Sequence, residues 1–131
     1  MNAKETLIAF MKVMNSWENG YRDAFMSDHC VNKEPYLAEL NNIFSKWCTI
    51  KERKYGRQAS MQVSFPPDYD PEKDEIISED VIKNKASIIV QKHAGFKNKY
   101  RYTLQFKNNE WRIDKKERFS SDENKWVKDN L

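Results

Sequence analysis

The sequence predicts an α+β fold in which two amino-terminal helices pack on one face of a curved antiparallel sheet of four to five strands. Up to about residue 48, the apolar residues recur every three or four positions, as on one face of a helix. From about residue 59 they alternate with polar residues, as in half-buried strands. Strands and helices do not alternate along the chain, which argues against a nucleotide-binding parallel sheet.

The first helix is expected over residues 3–25 and the second over residues 35–48. Asn2 and Glu5 have the spacing of a capping box, which satisfies free amides at a helix start. Pro35 suits the first position of a helix, where its missing amide hydrogen is not needed. The apolar stripes of the two helices are formed by Leu7, Met11, Met14, Trp17, Tyr21 and Phe25, and by Leu37, Leu40, Phe44 and Trp47.

Five strands are expected over residues 59–65, 76–83, 85–93, 99–107 and 110–119. The alternation is clearest in the fourth, where Tyr100, Tyr102, Leu104 and Phe106 share one face. The polar tail beyond residue 120 is predicted to form a short helix around Trp126. These elements make residues 1–131 a single domain, large enough to bury a core without disulfides or metals.

Charge is distributed unevenly along the chain. The 23 basic and 20 acidic residues give a net charge of +3. Residues 68–80 hold seven acids and one lysine, a net charge of −6, whereas residues 81–119 hold eleven bases and three acids, a net charge of +8. Such an uneven distribution steers charged partners.

Motifs for catalysis and for cofactor binding are missing from the sequence. Gly20, Gly56 and Gly95 are too scattered to form a phosphate-binding loop. Cys30 and Cys48 have no partner at zinc-ligand spacing and are predicted to be buried, reduced thiols of a cytoplasmic protein. We therefore expect no catalytic residue, no cofactor, no metal and no membrane span.

A series of short motifs runs through most of the chain: Phe10 to Trp17, Cys48-Thr49, Lys51 to Arg57, Pro67 to Asp70, Tyr100-x-Tyr102 and Trp111 to Ile113. Together they resemble the NTF2-like superfamily and, within it, the NTF2-fold immunity proteins of bacterial polymorphic toxin systems. The resemblance implies an NTF2-like cone and a non-enzymatic protein that binds and neutralises a cognate toxin domain in the cytoplasm. It also leaves open a homodimer formed through the outer face of the sheet.

The acidic segment before the sheet is the predicted partner-binding site. A toxin that acts on nucleic acid has a basic catalytic cleft, which an acidic loop would complement. The residues expected to contact the toxin are Asp68, Tyr69, Asp70, Glu72, Asp74 and Glu75, with Tyr69 as an aromatic anchor. Two alternatives stay open: a solvated loop that only separates two strands, and an acidic toxin that binds the basic face of this chain instead.

Two other functions stay open at this point. The basic residues of the sheet lie beside Tyr100 and Tyr102, so the chain could bind nucleic acid by neutralising phosphates and stacking on bases. The acidic segment argues against that partner, since it would repel phosphates. Alternatively, the cone could hold a small molecule or an NTF2-like isomerase site, which needs a carboxyl group in an apolar pocket. Asp114, the acid in the first half of the last predicted strand, is expected to point into solvent.

Overall fold

The computed structural model describes residues 1–53, 67–94 and 96–131. The predicted strand 59–65 lies outside these residues, as do Lys54, Gly56, Arg57 and Gly95. The described elements are α1 (Ala3–Ser27), α2 (Glu34–Trp47), β1 (Glu75–Ile82), β2 (Lys85–Gln91), β3 (Lys99–Lys107), β4 (Glu110–Ser120) and β5 (Lys125–Asp129). The five strands form one antiparallel sheet in chain order, which confirms the predicted α+β class.

The capping box predicted at the start of α1 is present. The Glu5 amide donates to Asn2 Oδ1 at 2.7 Å, and the Asn2 amide donates to Glu5 Oε1 at 2.9 Å. These bonds satisfy amides that have no partner within the helix. The sequence therefore determines where α1 begins.

The core lies between the helices and one face of the sheet, which we call the inner face. Phe10 of α1 and Phe44 of α2 meet edge to face, with ring centroids 6.1 Å apart. The sheet contributes buried side chains from its three central strands: Ala86, Ile88, Val90, Tyr102, Leu104 and Ile113. Burial of this apolar surface is the main term that holds helices and sheet together.

The carboxy-terminal segment forms strand β5, so the prediction of a helix around Trp126 is wrong. Ser120 pairs with Lys125, and Phe119 pairs with Trp126 across the β4–β5 hairpin. The Phe119 and Trp126 rings pack edge to face with centroids 5.4 Å apart. Strand pairing and this aromatic contact both depend on β4, and cross-strand pairs of this kind stabilise sheets.

Asp114 lies at an irregularity in β4 where the pairing register with β3 shifts. Thr103 pairs with Lys115, but Leu104 pairs with Ile113, so Asp114 is the extra residue of a bulge. Its carboxylate accepts hydrogen bonds from Thr49 Oγ1 at 2.8 Å and Lys51 Nζ at 3.1 Å. The side chain is only 16% exposed, which corrects the expectation that it points into solvent.

These bonds make the stability of the protein depend on pH. Burial acts to raise the pKa of Asp114, but the hydrogen bonds from Thr49 and Lys51 outweigh it and bring the pKa below its usual value of 3.8. A lowered pKa in the folded state means that ionised Asp114 stabilises the fold above the unfolded pKa. That stabilisation is lost as the pH falls through the lower pKa of the folded state.

We expect Thr49→Val to raise the pKa of Asp114, because it removes the shorter of the two hydrogen bonds. The pKa can be followed by NMR titration of the carboxyl carbon. Thr49→Ser keeps the hydroxyl group and should leave the pKa unchanged. Equal pKa values in the valine and serine variants would contradict the assignment.

Candidate functional site

The acidic loop, residues 68–75, lies at one end of the sheet, where it leads into β1. Glu75 at its end pairs with Gln91, the last residue of β2. The β2–β3 turn, described over residues 92–94 and 96–98, is therefore its neighbour at this end. The loop contains five acids and Lys73, a net charge of −4.

Helix α1 holds the first part of this loop through its backbone. The Glu18 carboxylate, on a residue only 7% exposed, accepts hydrogen bonds from the amides of Asp68 at 2.8 Å and Tyr69 at 3.0 Å. Asn15 Nδ2 donates to the Tyr69 carbonyl at 2.6 Å. The backbone is thus fixed by side chains one helical turn apart, which face the same side of α1.

Lys92 holds the loop from the side of the sheet. Its ammonium group donates to the Asp68 carbonyl at 2.7 Å and to Asp74 Oδ2 at 3.1 Å. The two side chains of this ion pair are 10% and 2% exposed. Burial raises the pKa of Asp74, and Lys92 acts against that rise. Asp74 Oδ2 also accepts the Asp70 amide at 3.1 Å, which closes the turn inside the loop.

The structure divides the six predicted partner-contact residues into two groups. Asp68, Glu72 and Glu75 are exposed, and Asp70 is partly exposed. Tyr69 and the Asp74 side chain are buried, which corrects the prediction that these two side chains face a partner.

Tyr69 is a core residue in this arrangement. It is 1% exposed, and its ring meets Phe10 edge to face with centroids 5.5 Å apart. The side chain points inward because Glu18 and Asn15 hold its backbone against α1. The surface aromatic anchor predicted at Tyr69 is therefore not present there.

A buried lysine on the inner face was missed by sequence analysis. Lys116 Nζ lies 5.0 Å from the ring centroid of Tyr69, 4.3 Å from that of Tyr100 and 5.8 Å from that of Tyr102. Cation–π attraction of this kind offsets part of the cost of burying an ammonium group. Burial lowers the pKa of Lys116 and raises that of Tyr102.

The bulge at Asp114 explains why this lysine faces inward. Simple alternation from Trp111 and Ile113 assigns Lys115 to the inner face, but the extra residue shifts the pattern by one. Lys116 then lies opposite Tyr102. Strict alternation in the sequence contains no signal for this shift.

Several residues on which the nucleic-acid interpretation depends make contacts within the protein instead. Tyr102 is 2% exposed and cannot stack on a base. Arg101 bonds to Glu117 at 3.0 Å and lies over the Trp126 ring, 4.7 Å from its centroid. Arg112 donates to the backbone carbonyls of Ser45 and Cys48. These cations stabilise the fold and are not presented as a phosphate-binding face.

Asp114 does not provide the carboxyl group that the isomerase-type alternative requires. Such a site requires a carboxyl group whose pKa is tuned upward by an apolar pocket. The pKa of Asp114 is lowered instead, because its hydrogen bonds outweigh its burial. Asp74 has a raised pKa, but it is paired with Lys92.

Of the two cysteines, Cys48 is buried as predicted, whereas the prediction that Cys30 is buried is wrong, because its side chain is exposed. Across residues 1–53, 67–94 and 96–131, no three His, Cys, Asp or Glu side chains lie close enough together to hold a metal ion. In the same described part of the chain, neither helix combines the length and the apolar character required to cross a membrane.

Known proteins resemble this chain over nearly its whole length. A family model described as NTF2 fold immunity protein matches residues 2–130. The chain is 46% identical over 130 residues to the immunity protein RhsIA of Dickeya dadantii (strain 3937). The aligned residues cover 98% of this chain and 96% of the relative. No solved structure matches significantly. The predicted resemblance is therefore confirmed, and the chain belongs to the NTF2 fold immunity protein family.

Proposed function

We propose that this immunity protein neutralises its cognate toxin by binding the toxin domain directly in the cytoplasm, with the acidic loop as part of the binding surface. Family membership supports a toxin as the partner. The choice of surface rests on a difference between the backbone of this loop and its side chains. Its backbone is fixed by buried contacts from Glu18 and Lys92, while most of its carboxylates face outward.

A loop held in this way suits binding for two reasons. An ordered loop loses little conformational entropy when a partner docks, so more of the interaction energy appears as affinity. Four carboxylates, those of Asp68, Asp70, Glu72 and Glu75, complement a basic surface such as the catalytic cleft of a toxin that acts on nucleic acid. Complementary charge speeds encounter and excludes wrong partners.

The loop is tested by neutralising these four carboxylates together, as Asp68→Asn, Asp70→Asn, Glu72→Gln and Glu75→Gln. We expect the association rate with the toxin domain to fall by about 10- to 100-fold at low salt, because charge at an interface acts mainly on that rate. The rate should also lose most of its dependence on salt. Surface plasmon resonance at several ionic strengths measures both quantities.

The matched control neutralises four exposed acids elsewhere: Glu34, Glu39, Glu52 and Glu110. It changes the net charge by the same amount, so a general effect of charge would appear equally in both variants. An association rate that falls equally in both, or in neither, would rule out the loop as the binding surface.

Protection by binding is distinguished from protection by catalysis through stoichiometry. The partner is first identified by pull-down from nuclease-treated source cells, and its toxin domain is then titrated with this protein in an activity assay. We expect inhibition to be complete at about one copy per toxin domain. Complete protection at a small fraction of that amount would indicate turnover and overturn the proposal.

A further inference from the structure

The turn between β2 and β3 presents a large apolar side chain that the fold does not use. Phe96 is 96% exposed, more than any other large hydrophobic residue in the described part of the chain. A phenylalanine dominates packing energetics when it is buried, because its side chain covers so much surface. In the isolated protein this one contributes nothing to the core, so its apolar surface is available to a partner.

Phe96 is carried by a turn with several hydrogen bonds. Gln91 Nε2 donates to the carbonyls of Lys97 at 2.8 Å and Lys92 at 2.9 Å. The Lys97 amide donates to the Ala94 carbonyl at 3.2 Å, and the Lys92 amide donates to the Asn98 carbonyl at 2.9 Å. These bonds hold described residues on both sides of Phe96, as expected of a preorganised contact.

This turn lies between two acidic segments at the same end of the sheet. On one side is the acidic loop, whose Glu75 Oε1 lies 3.4 Å from Nε2 of His93 in the turn. On the other side, across β3, is the β4–β5 turn, which exposes Asp122 and Glu123. Phe96 thus lies in a turn between two acidic segments, and the same turn also exposes the cation Lys97.

We infer that Phe96 is the aromatic anchor of the toxin interface and that the toxin receives it in an apolar pocket rimmed by basic side chains. The inference rests on the proposed function and goes beyond it by naming the anchor and the chemistry of its receptor. Exposed charges mainly set encounter rates. A few central residues, often aromatic, account for most of the affinity.

The charges at this end of the sheet favour a toxin, and not a second copy of this chain, as the partner that binds Phe96. A symmetric dimer through this end would place the acidic loop of one copy against acidic segments of the other. Like charges that meet across an interface disfavour association. A basic partner is attracted instead, because the exposed carboxylates at this end outnumber its exposed lysines, Lys73, Lys97 and Lys125.

Phe96→Ala tests the inference directly. We expect the equilibrium affinity for the toxin domain to fall about 30-fold or more, as for other anchor residues, mainly through faster dissociation. The thermal midpoint should not change, because the side chain is almost fully exposed. The control is Ile50→Ala, a residue 79% exposed in a cleft beside the β3–β4 turn at the other end of the sheet.

The outcomes separate this inference from the proposed function. If the four-acid variant binds more slowly but Phe96→Ala binds as the unmodified protein does, the anchor is elsewhere and the proposed function stands. If Ile50→Ala weakens binding as much as Phe96→Ala, the effect is not specific and the inference fails. Self-association that disappears only in Phe96→Ala, measured by sedimentation, would identify a second copy as the occupant. Failure of the unmodified protein to bind the toxin overturns the proposed function itself.

Discussion

Replacement of Lys92 by Met is expected to lower the free energy of unfolding by about 3–5 kcal/mol, the cost of removing one member of a buried ion pair. The Asp74 side chain is 2% exposed, so its carboxylate would be left in the interior without its cation. The Asp68 carbonyl loses a hydrogen bond in the same variant. We expect the loss of stability to shrink as the pH falls, because a protonated Asp74 carries no uncompensated charge.

Chemical denaturation measures this effect, and two further variants control for it. Lys97→Met removes an exposed cation from the same turn and should change stability by less than about 0.5 kcal/mol. Asp74→Asn combined with Lys92→Met removes both charges and should recover part of the loss. If the single and double variants are equally unstable, the ion pair is not the reason for the effect.

The second large effect is expected from Tyr69→Ala, which should destabilise the fold by about 3–5 kcal/mol, as for other buried aromatic residues. The ring is 1% exposed and packs against Phe10 and under the ammonium group of Lys116. Its removal leaves a cavity in the core and takes away part of the aromatic environment of a buried cation.

The measurement is again denaturant unfolding, with Tyr69→Phe as the matched variant because it keeps the ring. Tyr69→Leu provides a milder change if the alanine variant does not fold. A stable alanine variant with weakened toxin binding would contradict the structure and would restore Tyr69 as a surface anchor.

The fold was predictable wherever local spacing determines structure. The capping box at Asn2 and the stripes of α1 and α2, apart from the exposed Leu37, depend on residues three or four positions apart, and such spacing can be recognised in a single sequence. Strand β5 was not predictable in this way, since Trp126 is extended only because it pairs with Phe119 of β4. The inward position of Lys116 likewise depends on a bulge that alternation does not encode.

The acidic loop could be located from the sequence, but the orientation of its side chains could not. A concentration of acids identified the loop, whereas the contacts that turn Tyr69 inward come from Glu18, 51 residues earlier. The contact that buries Asp74 comes from Lys92, 18 residues later. Phe96 stands alone in a turn, outside any periodic pattern, so only its exposure identifies it. The homodimer suggested by the resemblance stays a prediction.

In the acidic loop, buried residues hold the backbone and exposed residues form the surface. This separation affects how the protein can change over evolution. Substitutions at exposed positions such as Glu72 cost little stability, whereas substitutions of Glu18, Lys92 or Asp74 cost much more. The outward residues can therefore vary while the loop keeps its shape. A lineage could follow a diverging toxin by altering a few surface residues, without passing through an unfolded intermediate.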